Sequence, residues 1–181
     1  MSCYRTILKT ASVMLLAGIV AAPSGAFAAC MQNRAVYTDR DDNYTLTFRP
    51  EEPNDLNFSP APTNEFTITY NEKPEFKLTG LVVWPEEAVK RPLAMIMYNC
   101  GGAGASSEDL EDCSIWQGVV YALKETAEAE PLPKAEEPAA QTVLFPDLLG
   151  ALDVYDFGEA KPAEPLTWEA FRFKTCTQEA E

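Results

Sequence analysis

One stretch near the start of the chain has the residue types and spacing that could hold a metal ion. Asp39, Asp41 and Asn43 alternate in the way that begins a calcium-binding loop. An EF-hand loop also needs glycine at its sixth position and glutamate at its twelfth, where this sequence has Tyr44 and Pro50. We therefore interpret this stretch as an acidic turn before a strand, and the sequence predicts no metal site.

A glycine-rich stretch, Asn99–Ser107, is a second candidate for chemistry. Successive glycine N–H groups can form a nest that binds an anion or an oxyanion. The stretch lacks the Gly-Lys-Ser/Thr of a phosphate-binding loop, and Gly102 and Gly104 lack the third glycine of a dinucleotide fingerprint. We interpret it as a turn closed by a disulfide, and we predict no cofactor.

The segment Leu81–Gly104, an apolar hairpin that ends in the glycine-rich stretch, resembles the oxyanion loop of α/β-hydrolases. The resemblance covers about 24 residues. The chain has no Gly-x-Ser-x-Gly elbow and no histidine, so the hydrolase site cannot be carried over to it.

Acidic pairs and aromatic residues are the remaining candidates. A glycosidase needs two acids about 5–10 Å apart across one cleft, which neighbours in a polar loop do not supply. Aromatic side chains could form a sugar- or peptide-binding face, although at strand positions they are more typical of a core. The pairs are Glu51/Glu52, Glu86/Glu87, Glu108/Asp109, Glu111/Asp112 and Glu136/Glu137, and the aromatic residues are Trp84, Trp116, Trp168, Tyr98, Tyr121 and Tyr155. The sequence predicts no catalytic residue among them.

Histidine is absent from all 181 residues. This absence excludes Ser-His-Asp and Cys-His catalysis and any histidine-ligated zinc, iron or copper centre. Carboxylate chemistry, acid–base work by tyrosine or lysine, and ions bound by oxygen ligands remain open.

Residues 1–28 have the three parts of a secretory signal peptide. Arg5 and Lys9 precede a short apolar run over 11–22, and Ala26-Phe27-Ala28 fits an A-x-A cleavage site. The apolar run is shorter than the roughly 20 residues that span a bilayer, and no second one follows. We predict a periplasmic or secreted protein with no transmembrane segment in the mature chain, which would be one domain over residues 29–181.

Four cysteines remain after cleavage, and an even number in an exported chain predicts two disulfides. Four cysteines allow three pairings. We favour Cys100–Cys113, which would close a short polar loop, and Cys30–Cys176, which would tie the two ends of the mature chain together. The alternative for Cys30 is lipidation, because the residues before it resemble a lipobox with phenylalanine in the aliphatic position.

The charge of the chain restricts its partners. Cleavage after Ala28 would remove two cations and no acid, which takes the net charge from −14 to −16. Nucleic acids and anionic membranes are bound by cations, so we predict neither as a partner. A cationic protein or a cell-envelope polymer fits the charge and the predicted location.

Short alternating segments separated by proline, asparagine and glutamate predict a mostly β fold. Stretch 115–123 is ambiguous, and we favour strand over helix because it contains glycine and β-branched residues. Residues 124–141, rich in proline, glutamate and alanine, predict a solvated loop. The expected strands are 44–48, 66–70, 76–84, 92–98, 142–145, 151–155 and 170–174. The expected fold is an antiparallel β-sandwich or open barrel with at most one or two short helices, and the alternative is a two-layer α+β domain.

Taken together, these features predict an exported, acidic, non-enzymatic envelope protein that binds a protein or polymer partner. The alternative is a glycan-active hydrolase that works with carboxylates. A third possibility, a fold stabilised by calcium, would depend on the acidic turn at 39–43.

Overall fold

The computed structural model describes residues 30–50, 62–84, 91–100 and 112–177. In these residues the chain forms ten strands, one complete α-helix and two short 3-10 turns. The strands are β1 (Ala35–Thr38), β2 (Tyr44–Arg49), β3 (Pro62–Tyr70), β4 (Lys77–Val83), β5 (Leu93–Tyr98), β6 (Ser114–Val119), β7 (Tyr121–Leu123), β8 (Ala129–Pro131), β9 (Thr142–Leu144) and β10 (Ala170–Cys176); the helix is α1 (Leu148–Val154), and the turns are Gln32–Arg34 and Gly158–Ala160.

All the strand pairs are antiparallel, and they form one sheet in the order β6-β5-β4-β3-β2-β1-β10-β9-β7-β8. β6 stands at one end of that order, and β7 stands next to the other end. Along the chain, only Val120 separates these two strands. The buried Val120 donates its N–H to the carbonyl oxygen of Pro92 at 3.2 Å. The sheet therefore has to curl until its two ends meet at this residue, which gives a half-barrel.

The alternation of apolar residues sets which face of the sheet becomes concave. In β2, Tyr44, Leu46 and Phe48 are buried while the threonines between them are half-buried, because successive side chains of a strand point to opposite faces. Leu46 pairs with Ile68 of β3, and Phe48 pairs with Phe66, so the apolar sides of neighbouring strands line up. A shift of one residue would turn this face to solvent, and burial therefore determines the register.

Aromatic rings fill the interior of the half-barrel. Phe66 lies 5.4 Å from both Phe48 and Phe145, and Phe145 in turn contacts Trp116 at 5.6 Å and Phe171 at 6.0 Å between ring centroids. The contacts of Phe145 with Trp116 and Phe171 are edge-to-face, a favoured geometry worth about 0.5–1.5 kcal/mol per pair beyond area burial. Phe145 follows β9, so this cluster connects the first half of the sheet to the second.

Two glycines give these rings their space. Gly80 of β4 pairs directly with Phe66, and a Cβ atom built at Gly80 would lie 2.1 Å from the ring atom Cζ of Phe66. At Gly118 of β6, a Cβ atom would lie 2.5 Å from the ring of Trp116. A glycine under an aromatic ring allows the ring to lie flat on the strand.

The mostly β, antiparallel fold predicted from the sequence is confirmed, and the sheet takes the form of the open barrel rather than the sandwich. The ambiguous stretch 115–123 is strand, divided between β6 and β7 at Val120. The two-layer α+β alternative is not observed in the described residues, where α1 is the one complete α-helix.

One local prediction was wrong. Residues 151–155 were expected to form a strand, but α1 occupies most of them because Leu148 and Leu152, four residues apart, lie on one face of a helix. Most residues of the stretch 124–141 are exposed and lie outside strands. It contains β8, and its Leu132 and Ala140 are buried in the core.

The structure contains two disulfides, Cys30–Cys176 and Cys100–Cys113, with Cα–Cα distances of 5.8 and 5.3 Å. They are the pairings that the sequence analysis favoured. Cys176 is the last residue of β10, so the first disulfide connects the start of the described chain to a central strand. None of the helices that the structure describes is long and apolar enough to cross a membrane.

We predict opposite effects for alanine at two glycines. Gly80→Ala should cost about 1–3 kcal/mol of unfolding free energy, because the new Cβ atom would overlap the Phe66 ring. Gly150→Ala should stabilise by about 0.5–1 kcal/mol, since Gly150 lies in α1 with no atom within 4 Å of the new Cβ position. Urea unfolding of the two variants beside the parent measures both, and equal effects would contradict this account of the sheet.

The two disulfides should contribute unequally to stability. Their sequence separations are 146 and 13 residues, which correspond to about 5 and about 3 kcal/mol in the chain-entropy model. In urea unfolding, the Cys30→Ser/Cys176→Ser variant should therefore lose about 2 kcal/mol more free energy of unfolding than the Cys100→Ser/Cys113→Ser variant. The reverse order would show that strain or residual structure outweighs loop length.

Candidate functional site

A pocket of about 410 Å³ opens at one end of the half-barrel, between the concave face of the sheet and the segment that contains α1. Its sheet wall comes from the start of β2, the end of β3 and the region where β4 begins. The residues of this wall are Tyr44, Ile68, Phe76 and Leu78. They share one end of the sheet because Tyr44 pairs with Tyr70, and Ile68 pairs with Leu78.

The opposite wall is formed by α1 and by residues 157–166, which we call the covering segment. Leu149 and Leu152 extend from α1, and Phe157 and Leu166 lie in the segment after it. Prolines 162 and 165 also line the pocket, and they restrict the backbone of this covering segment. The apolar residues on both walls make the pocket suitable for an apolar molecule.

Two hydrogen bonds attach the covering segment to the sheet. The hydroxyl of Tyr44 donates to the carbonyl oxygen of Glu164 at 2.7 Å, and the side-chain amide of Asn43 donates to the Glu164 carboxylate at 2.9 Å. Burial raises the pKa of Tyr44 above its usual value, with the neighbouring Tyr70 and the carboxylates of Asp39 and Glu164 adding to the shift. The hydroxyl therefore stays protonated at neutral pH and remains a hydrogen-bond donor.

An aromatic cluster supports the same wall from behind. The rings of Tyr98, Tyr155 and Phe157 lie 4.8–6.3 Å apart between centroids, and Phe76 packs on both Tyr98 and Phe157. Tyr98 belongs to β5 and Tyr155 directly follows α1, so these rings attach the end of the helix to the sheet. Phe76 and Phe157 thus belong both to this cluster and to the pocket lining.

Two side chains of opposite charge also line the pocket. Asp153 lies near the end of α1 and Lys161 directly follows the 3-10 turn Gly158–Ala160, and both are exposed. Neither side chain makes an ion pair or hydrogen bond with any residue that the structure describes. The pocket therefore combines apolar walls with one free carboxylate and one free ammonium group.

The interior also contains buried polar groups that lack a hydrogen-bond partner. Asn64 is 1% exposed, and neither its amide nitrogen nor its oxygen is bonded. The indole N–H of Trp84, the amide nitrogen of Gln32 and the amide oxygen of Asn33 share this condition. Asn64 pairs with Val82 of β4, and Trp84 directly follows that strand. They are at the opposite end of β3 from the pocket.

The acidic turn at 39–43 has structural partners for its carboxylates. Asp39 is buried and accepts a hydrogen bond from the backbone N–H of Tyr44 at 2.9 Å, and Asp41 accepts one from the hydroxyl of Thr167 at 2.9 Å. Lys174 donates to Asp42 and lowers the pKa of that carboxyl. No group of three potential metal ligands occurs within the described ranges. The interpretation as a turn before a strand agrees with these contacts.

The aromatic candidates do not form a single face. Trp116 is in the core, where its indole N–H donates to the carbonyl oxygen of Pro146 at 2.9 Å. Trp168 is 42% exposed under the guanidinium of Arg40, and Tyr121 lies within hydrogen-bond distance of Arg91. Tyr98 and Tyr155 meet in the cluster behind the pocket.

The acidic pairs provide no converging carboxylates in the described part of the chain. Glu136 accepts a hydrogen bond from the side chain of Asn33, and Glu137 accepts one from the backbone N–H of Lys134. The other pairs lie outside the described residues, apart from Asp112. Of the glycine-rich stretch, only Asn99 and Cys100 are described.

No protein-family model, no curated protein and no solved structure matches this chain. The pocket itself was missed by sequence analysis, because its residues come from three strands, a helix and a proline-rich segment. One available indication was the spacing of Leu148, Leu149 and Leu152, which is helical and places an apolar face beside an exposed acid, Asp153.

Replacement of the unbonded amide at Asn64 should stabilise the protein. Asn64→Leu removes a buried polar group without a partner, and such a group costs about 1–3 kcal/mol. The matched control is Asn71→Leu, because the Asn71 side chain accepts a hydrogen bond from Thr45 and donates one to the carbonyl oxygen of Asp42. Thermal unfolding should show a higher Tm for the first variant and a lower Tm for the second. A lower Tm for both would indicate that water or a polar ligand satisfies Asn64.

Proposed function

We propose that this chain is an exported, non-enzymatic binding protein of the cell envelope, and that its half-barrel holds an apolar molecule. The observation that carries this proposal is the pocket between the sheet and α1. Its volume of about 410 Å³ falls in the range of small-molecule sites, and its lining is mostly apolar. A packed core would leave no cavity of that size, because protein interiors are close-packed.

Export is supported by two independent features. The disulfides Cys30–Cys176 and Cys100–Cys113 are typical of oxidising compartments outside the cytoplasm. Residues 1–28 have the pattern of a secretory signal peptide, which a periplasmic or secreted protein would lose on export. Cys30 forms a disulfide in the structure, and this use of its sulfur competes with the lipidation considered above.

Binding is favoured over catalysis by the chemistry of the pocket. The two charges among its lining residues have opposite signs, whereas glycoside hydrolysis needs a pair of carboxyl groups facing the scissile bond. The glycan-active hydrolase therefore stays a prediction without a site in the described residues. The expected cationic-protein or envelope-polymer partner also stays a prediction, and the net charge of −16 that would remain after the predicted cleavage is compatible with it.

Binding in the pocket can be tested with the uncharged fluorescent probe N-phenyl-1-naphthylamine. Its emission should rise when it enters the apolar pocket of the oxidised protein, with saturation at one probe per chain. Leu152→Trp should weaken this affinity at least tenfold, because Leu152 lines the pocket and the larger ring would fill it. An absence of saturable binding to the parent protein would contradict the proposed function.

Val154→Trp is the matched control for this experiment. It adds the same ring to the same helix at a residue that is 83% exposed and does not line the pocket, so the affinity should stay within twofold. If Leu152→Trp fails to fold by circular dichroism, Ala163→Phe serves instead, because Ala163 lines the pocket from an exposed position in the covering segment. Equal weakening by the filling and control variants would place the probe elsewhere.

A further inference from the structure

We infer that the pocket takes a single-chain zwitterionic amphiphile, that is, an apolar chain that carries a cationic and an anionic group at one end. This inference rests on the proposed function and specifies its ligand. It depends on three observations: the apolar walls, the size of the cavity, and the two free charges of opposite sign among the lining residues.

The size of the cavity argues for a chain rather than a single ring. A cavity of about 150 Å³ is enough to hold benzene, and this pocket is more than twice as large. Its walls include the side chains of Ile68 and Leu78 on the sheet and of Leu149, Leu152 and Leu166 on the cover. These aliphatic side chains can make contacts along the length of an acyl chain, beside the lining rings of Tyr44, Phe76 and Phe157.

The charges argue for a zwitterion. Asp153 and Lys161 both line the pocket, both are exposed, and they do not form an ion pair with each other at a distance of 4.0 Å or less. Each can therefore receive a charged group of the ligand without breaking an existing contact. The carboxylate of Asp153 would face the ligand's cationic group, and the ammonium group of Lys161 would face its anionic group.

The charge of the whole protein makes the lysine the informative residue. With 28 acids and 14 basic residues, the chain attracts cations over its entire surface, so a preference for a cationic ligand would need no special site. Binding of an anionic group requires a local cation, and Lys161 is the cation among the pocket-lining residues. In 0.15 M salt the Debye length is about 8 Å, so distant charges are largely screened and the local ones dominate.

The test is displacement of N-phenyl-1-naphthylamine by amphiphiles that share one dodecyl chain, below their micelle concentrations and in 0.15 M salt. The zwitterion is dodecylphosphocholine, the anion is dodecanoate and the cation is dodecyltrimethylammonium. The zwitterion should displace the probe at a concentration about threefold to tenfold lower than either singly charged amphiphile. Exposed ion pairs contribute little each, which limits the expected preference to this range.

Two charge variants and two controls assign the preference to the pocket. Lys161→Gln should weaken the affinity for dodecylphosphocholine and for dodecanoate about threefold. The affinity for dodecyltrimethylammonium should stay the same or increase. Asp153→Asn should weaken dodecylphosphocholine and dodecyltrimethylammonium by a similar factor. The controls are Lys124→Gln and Glu125→Gln, which make the same changes in net charge. These two exposed residues lie in and beside the turn after β7, outside the pocket lining. Neither control should alter the affinity for any of the three amphiphiles by more than about 1.5-fold.

The outcomes separate this inference from the proposed function. If the probe binds and the three amphiphiles displace it equally, the apolar site stands and the zwitterion assignment is overturned. If L-phenylalanine displaces the probe as readily as dodecylphosphocholine, the ligand is a small zwitterion and the single-chain amphiphile is excluded. If the probe does not bind to the parent protein, the proposed function fails together with this inference.

Discussion

The fold depends on the continuity of the chain at Val120. The strands on either side of this residue pair with β5 and with β9, which belong to opposite parts of the sheet order. Because this covalent link joins them, the sheet has to curl. The strands that lie between β5 and β9 in the sheet order form the curved wall. The concave face that results must be filled, because an empty interior would forfeit the dispersion contacts of its lining.

Aromatic side chains fill that face at one end and leave a gap at the other. Rings from β3, β6 and β10 each contact the ring of Phe145, and Gly80 and Gly118 allow two of them to lie close to the strands. Nearer the start of β2, the rings belong to the walls instead, and α1 with its following segment closes over the space. The pocket is thus a consequence of how the curled sheet is covered, and Tyr44 connects cover and sheet through one hydrogen bond.

The strands could be predicted from the sequence where the pattern was local. Alternation in β2 and β3 identified both strands and their buried face, since period 2 reflects the pleat itself. Prediction failed at residues 151–155, where Ala and Leu favour a helix while Val and Tyr favour a strand, so the local propensities conflict. There the outcome depends on which face can reach the sheet, and that is set by residues far away in the chain.

The sequence alone determined the absence of histidine chemistry, the acidic charge, the even number of cysteines after the predicted cleavage and the predominance of β-strands, because each depends on composition or on local periodicity. Only the tertiary structure decided which strands are neighbours, and it brought Tyr44, Leu78, Leu152 and Leu166 around one cavity. The reason is that a pocket is a property of distances between remote segments. Those distances follow from the curl at Val120 and from the position of α1, and neither has a signature in the local pattern of residues.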